Sequence, residues 1–273
     1  MFKAMSETEQ QVISKQRVAQ HGEVLTARRE VDAMLDLVKQ ETERLDSRFL
    51  EPACGTGNFL IAILERKLAV IERKLSQQEK QLKKAEKRPG WKSLCYDPNS
   101  LVAVGSIYGI DILQDNIEAA KERLIEFYIE NYKRVVEVEP EPNLLASVRF
   151  ILDKNILLGD AIHTHESVTV PGVPGLDEII FTEWSRIGDE FKRREFRFDA
   201  INLDGQEATS KNQVQRNLFG EVDERYSQMS LFNEDPVEPT ADILTTDTGK
   251  EIYKPRPIKD YPLVHYLHIA NGK

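Results

Sequence analysis

Three short stretches carry residue types suited to cradling a ligand, and each follows an apolar run. Phe49-Leu50 leads into Glu51-Pro52-Ala53-Cys54-Gly55-Thr56-Gly57. The two glycines allow a tight turn and a close backbone approach at the start of a helix, where free N–H groups face outward. Residues 106–110 run into Asp111, whose carboxylate can accept from both hydroxyls of a ribose. Residues 155–158 run into Gly159-Asp160, and this carboxylate can accept from the exocyclic amine of an adenine. A lone G-x-G carries little weight; three such strand ends in sequence describe a pocket for an adenosine-bearing cofactor. A fourth run, 198–201, ends at Asn202, a side-chain amide at the same level.

Plainer readings stand beside these. The 51–59 stretch is also a generic strand–turn–helix, Asp111 a surface carboxylate or helix cap, and Asp160 a turn residue. Thr26 can cap a helix opening at Arg28. Cys54 reads as a small buried filler, since no histidine lies near it in the motif. The five histidines show no metal-ligand spacing.

The elements that must position these residues alternate along the chain. Residues 6–21 form a polar leader arm, and Val31, Met34, Leu35 and Val38 mark an amphipathic helix. After the Gly55–Gly57 loop a long helix is predicted from about Phe59 to Arg88, stopped by Pro89-Gly90. In it Glu65-Arg66-Lys67-Leu68 returns as Glu72-Arg73-Lys74-Leu75, and Leu64, Leu68, Ile71, Leu75 and Leu82 fall on a coiled-coil-like seam. Over 61–90 nine Lys/Arg face four Asp/Glu, so a solvated basic extension is predicted, with a helix contact to another chain or a phosphate-tracking arm as the alternatives. A helix over 116–132, an acidic loop over 135–143 and strands at 155–160 and 198–202 complete a βαβαβ pattern, which means a doubly wound parallel sheet. Residues 203–256 are acidic, aperiodic and expected to be irregular, and 261–269 form a docking strand or short helix.

The composition sets limits. The chain has 273 residues, 40% apolar and 30% charged, with a net charge of −9. An acidic balance argues against indiscriminate nucleic-acid binding by the whole surface and leaves room for a local basic face. Two cysteines make neither a disulfide framework nor a cysteine zinc site. No run approaches the length of a membrane span and the N-terminus has no apolar signal core, so a soluble, cytoplasmic protein is expected.

Residues 49–60, Phe-Leu-Glu-Pro-Ala-Cys-Gly-Thr-Gly-Asn-Phe-Leu, resemble the S-adenosylmethionine motif of the N6-adenine DNA methyltransferases of restriction–modification systems. Residues 22–28 resemble the G-x-x-[FY]-T-P motif that precedes it, Tyr108–Ile112 with Asn116-Ile117 the ribose motif, and Leu158–Ala161 the adenine motif. The resemblance covers about 20–202 and implies a Rossmann-like methyltransferase domain over 22–202, with a helical arm over 1–21 and an acidic, truncated recognition region over 203–273. It implies S-adenosylmethionine held by Thr26 at the methionine end, by Glu51, Pro52, Ala53, Cys54, Gly55 and Gly57, by Asp111 and Ile112, and by Asp160 and Ala161. Double-stranded DNA is the implied partner, engaged through a recognition subunit or other chain.

The family's catalytic motif is Asn-Pro-Pro-Tyr/Phe after a strand written F-D-x-I. Its amide and proline carbonyl orient the target nitrogen, and its aromatic ring stacks on a base flipped from the duplex. Here Phe198-Asp199-Ala200-Ile201 is followed by Asn202-Leu203-Asp204-Gly205, so Asn202 is the catalytic candidate and the prolines and aromatic are replaced. Only 71 residues follow Asn202, fewer than a recognition domain takes. Two expectations result: a modification subunit impaired or inactive alone, or a non-catalytic pseudo-methyltransferase that binds cofactor or partners.

Overall fold

The computed structural model describes residues 24–82, 89–161, 172–175, 178–198, 241–245 and 251–271. The leader arm, residues 83–88, the 198–202 strand beyond Phe198 and most of 203–256 lie outside them. At the centre is a parallel sheet of β1 (Phe49–Glu51), β2 (Ile107–Asp111) and β3 (Ile156–Leu158), in the order β1-β2-β3. Phe49 pairs with Ile107 and Glu51 with Gly109, while Asp111 pairs with Leu158, so the three carboxyl ends lie side by side.

Two helices fill each crossover. α1 (Arg28–Leu37) and the short α2 (Lys39–Thr42) precede β1; α3 (Asn58–Gln81) and α4 (Trp91–Gly105) join β1 to β2; α5 (Gln114–Val136) and α6 (Pro142–Asn155) join β2 to β3. Helix α6 opens with Pro142 in its first turn, where a missing N–H costs nothing. The acidic 135–143 stretch is therefore a helix end, a five-residue link and a helix start, not a loop throughout.

The 61–90 segment differs most from expectation. Leu64, Leu68, Ile71 and Leu75 on the supposed seam are buried in the domain's own core, so α3 is a core helix over most of its length and not a solvated extension. Its regular spacing serves α1, α4 and α5, because a stripe of leucines packs against any apolar neighbour, inside or between chains.

β2 is buried on both faces. Ile107 joins the helices' core, while Tyr108 and Ile110 pack with Ile179, Phe181 and Phe198 on the other side. Among the described residues, that second face is covered by a hairpin and not by helices: β4 (Ile180–Ile187) and β5 (Glu190–Arg197) pair antiparallel along their whole length across Gly188-Asp189. A two-residue Gly-Asp turn between β-rich runs is a hairpin signal, and the sequence reading passed over it. Asn155 ties the layers, donating to the carbonyls of Gly105 and Ile107 and accepting from Trp184 Nε1 at 3.0 Å.

In the interval expected to be irregular, β6 (Ala241–Thr245) and β7 (Glu251–Pro255) pair antiparallel. β8 (Lys259–Asp260) and β9 (Val264–His265) then extend along β5, and a 3₁₀ helix, Tyr266–Asn271, follows; the 261–269 segment thus contains both elements expected of it. Tyr261 stacks on the Arg193 guanidinium at 3.7 Å, closing the hairpin's outer side. No helix among the described residues is long and apolar enough to cross a membrane.

Between α4 and α5 lies a buried polar cluster. Tyr96 donates to Asn131 Oδ1 at 2.8 Å, Ser100 and Tyr128 share a hydrogen bond, and Tyr132 donates to Asp97 Oδ1 at 3.0 Å. Burial pushes the Asp97 carboxyl up to about 6, against the Tyr132 hydrogen bond and aided by Glu141. A carboxyl raised on folding stabilises the fold below its unfolded value near 3.9, and that contribution fades as pH climbs through 6. Asp97→Asn keeps an acceptor for Tyr132 without the charge, so its stability relative to the parent should rise by up to about 3 kcal/mol between pH 4 and pH 7. Urea unfolding of both proteins across that range measures the difference; a pH-independent difference would remove Asp97 from this titration.

Candidate functional site

The loop after β1 is set by backbone geometry. Cys54 N donates to the Ile110 carbonyl at 2.8 Å, binding the loop to β2, and Gly57 N donates to the Cys54 carbonyl at 2.9 Å. Gly55 and Gly57 have φ of 51° and 88°, values that favour glycine. A side chain at Gly57 would also stand 3.2 Å from the Ala120 Cβ, so this glycine brings α3 and α5 together. Cys54 is buried against Gly109, where a Cβ would meet its sulfur at 3.0 Å. Burial, then the Asp111 and Glu51 charges, push its thiol far above the ordinary range. That is a packing residue and no nucleophile.

Asp111 is the hub. Its Oδ2 accepts from Gly55 N at 2.9 Å; its Oδ1 accepts from Leu113 N at 2.9 Å and Asn116 Nδ2 at 3.1 Å. A carboxylate has about four acceptor positions, so one remains, on the oxygen facing Gly55. Past β3, Gly159 N donates to the Asp111 carbonyl and Asp160 N to the Pro174 carbonyl. Gly159 has no room for a side chain, since a Cβ would lie 2.7 Å from Ile179.

These ends surround one cavity of about 310 Å³, at the small end of the ~300–1,000 Å³ typical of ligand pockets. Of the residues singled out in the sequence, Thr26, Glu51, Pro52, Ala53, Cys54, Gly55, Asp111, Ile112, Asp160 and Ala161 are brought together in its wall, and Gly57 is not among the lining residues. Asn202 lies outside the described residues. Asp97-Pro98-Asn99 sits within α4 and takes no part in the cavity.

Val24, Leu25, Asn58, Phe59, Leu113 and Asn116 complete the wall; all but Leu113 fall inside the motifs noted in the sequence, though none was named as a contact there. Asn58 opens α3 after the 52–57 loop and Asn116 lies in the first turn of α5, each within a motif noted in the sequence. Val24 and Leu25 belong to the 22–28 motif, and the fold lays that stretch, which precedes α1, across the loop.

The charge of the wall is one-sided. Glu51, Asp111 and Asp160 contribute carboxylates, and among the described residues no Lys, Arg or His lines it. Burial holds the Glu51 carboxyl above its ordinary range, with the Ala53 N–H partly countering it. Such a wall repels phosphates and suits a neutral or cationic ligand.

A parallel sheet with helices on one face and a cavity beyond the carboxyl ends of its strands is an α/β architecture, and that is where such sheets bind their ligands. A sequence-family model for the DNA-methyltransferase domain of MmeI matches residues 25–173, more than half of the chain and all of the cavity wall beyond Val24. The chain belongs to that family, which supports a DNA methyltransferase of a restriction–modification system. No curated protein and no solved structure matches it.

Proposed function

We propose that this domain binds S-adenosylmethionine in the carboxylate-walled cavity and is the modification module of a restriction–modification system, directed at the N6 amine of adenine in double-stranded DNA. The observation that carries the reading is the cavity itself: a wall with three carboxylates and, among the described residues, no cation, built on a chain of the MmeI methyltransferase family. It discriminates against dinucleotides, whose pyrophosphate would face Glu51 and Asp111, and fits a ligand with a positive sulfonium.

The residues present fit that cofactor. Asp111 retains one acceptor position for a ribose hydroxyl, Asp160 offers one to the adenine amine, and Ile112 and Ala161 provide apolar surface for the base. Thr26 would hold the methionine end, and the Glu51 carboxylate in the same wall would favour the cofactor's ammonium and sulfonium charges. The cofactor supplies an activated methyl group; the chain's part is to fix its orientation and to exclude phosphate-bearing competitors.

Leu203-Asp204-Gly205 in place of Pro-Pro-aromatic leaves no stacking ring for a flipped base beside Asn202. This favours a chain that binds cofactor and is inactive alone, awaiting another chain for base and site recognition. Calorimetric titration with S-adenosylmethionine and S-adenosylhomocysteine should give micromolar binding, about −8 kcal/mol. Labelled-methyl transfer to mixed-sequence DNA by the purified chain should be undetectable. Absence of binding would overturn the cofactor reading, and robust transfer would overturn the inactivity.

A further inference from the structure

We propose that Asn58 is a positioning residue that latches the segment 24–26 over the cavity, with Arg123 setting the direction of its amide; the consequence for cofactor binding rests on the function proposed above. Asn58 is the first residue of α3. Its Nδ2 donates to the Thr26 carbonyl at 2.9 Å, and its Oδ1 accepts from Arg123 Nη1 at 3.0 Å. The same guanidinium nitrogen reaches Thr56 Oγ1 at 2.9 Å and the Thr56 carbonyl, so Arg123 is held at the loop by three acceptors.

An asparagine amide has two orientations that differ in which end is the donor. With Arg123 fixed on one side, only the oxygen can face it, and the N–H₂ must face Thr26. The direction matters because, among the described residues, this hydrogen bond is the side-chain tie of the segment at the cavity side. Ala27, the cap of α1, makes no side-chain hydrogen bond. Further along the chain the Arg28 guanidinium pairs with Glu65 at 2.5 Å, two turns along α3. Arg28–Glu65 anchors the helix, while Asn58 anchors the strap before it. Leu25 presses on the loop, its Cδ2 3.3 Å from where a Cβ at Gly55 would stand, so the strap and the cofactor loop are in direct contact.

Asn58→Asp is the test. It is isosteric and strengthens the Arg123 contact by charge, but it sets an acceptor against the Thr26 carbonyl. Hydrogen exchange of the Leu25–Ala27 amides in the ligand-free protein should rise about tenfold, the loss of one hydrogen bond. Dissociation of S-adenosylhomocysteine should quicken by about the same factor, at an unchanged thermal midpoint. A merely structural asparagine would shift the midpoint and leave the exchange pattern alone. Unchanged exchange overturns the latch, and raised exchange with unchanged dissociation overturns its role in binding. A parent protein that binds no S-adenosylhomocysteine defeats the cofactor reading instead, and the exchange measurement still decides the latch.

Discussion

Lys67→Met lowers the unfolding free energy by about 3 kcal/mol. Lys67 lies in the middle of α3 with no exposed surface, and its Nζ donates to the carbonyls of Arg44, Leu45 and Ser47 at 2.9, 3.1 and 2.6 Å. An ammonium has three N–H donors, and here each has its own carbonyl. Its charge also lies 5.2 Å from the centre of the Phe49 ring. Burial pushes the group down to about 7, with Asp46 and Glu41 raising it, and the three carbonyls favour the charged form further. Methionine fills the same channel without donors and orphans three acceptors, at about 1–3 kcal/mol apiece. Relief from burying a charge offsets part of this. Guanidinium unfolding measures the loss; a change under about 1 kcal/mol would show that the clamp contributes little. Because the 44–47 turn feeds β1, the variant should also loosen the Glu51 loop and weaken cofactor binding.

Asp111→Ala should abolish cofactor binding at least a hundredfold and cost about 2–4 kcal/mol of stability. On the function proposed, the carboxylate does two jobs. It offers its remaining acceptor position to the ligand, and it holds Gly55 N, Leu113 N and Asn116 Nδ2 in the geometry that shapes the cavity. Alanine strips three donors of their partner in a site only 9% exposed. Asp111→Asn separates the jobs: one oxygen still accepts, while the new N–H₂ opposes either Gly55 N or the pair at Leu113 and Asn116. Its stability should fall less than alanine's and its affinity nearly as far. Calorimetry with S-adenosylhomocysteine, alongside thermal unfolding, reads both. An affinity unchanged in Asp111→Ala would take this residue out of the binding site.

Much of the site was legible because its chemistry is local. Glu51 to Gly57, Asp111 and Gly159-Asp160 follow short apolar runs, and adjacent parallel strands bring such ends together whatever the rest of the chain does. The positive φ at Gly55 and Gly57 likewise belongs to the turn itself. The helices were partly legible. α1 and α5 were found from their stripes, but α4 and α6 were passed over, since mixed runs such as 91–105 and 142–155 give a weak period in a helix covered on several sides.

The sequence by itself determined the residue types at the strand ends, the order of the β1, β2 and β3 segments and the family to which the chain belongs. Tertiary structure decided the uses of everything not local. The leucine seam of α3 is a core face because α1, α4 and α5 reach it first. Lys67, one charge in a basic run, is buried because a turn 20 residues away needs its donors. Asn58 reaches Thr26 across 32 residues, and Arg123 orients it across 65. Periodicity records which side chains avoid water, not which partner covers them, and a side chain's charge does not record which distant backbone groups will meet it. Those depend on contacts between segments far apart in the chain, and they exist only once it has folded.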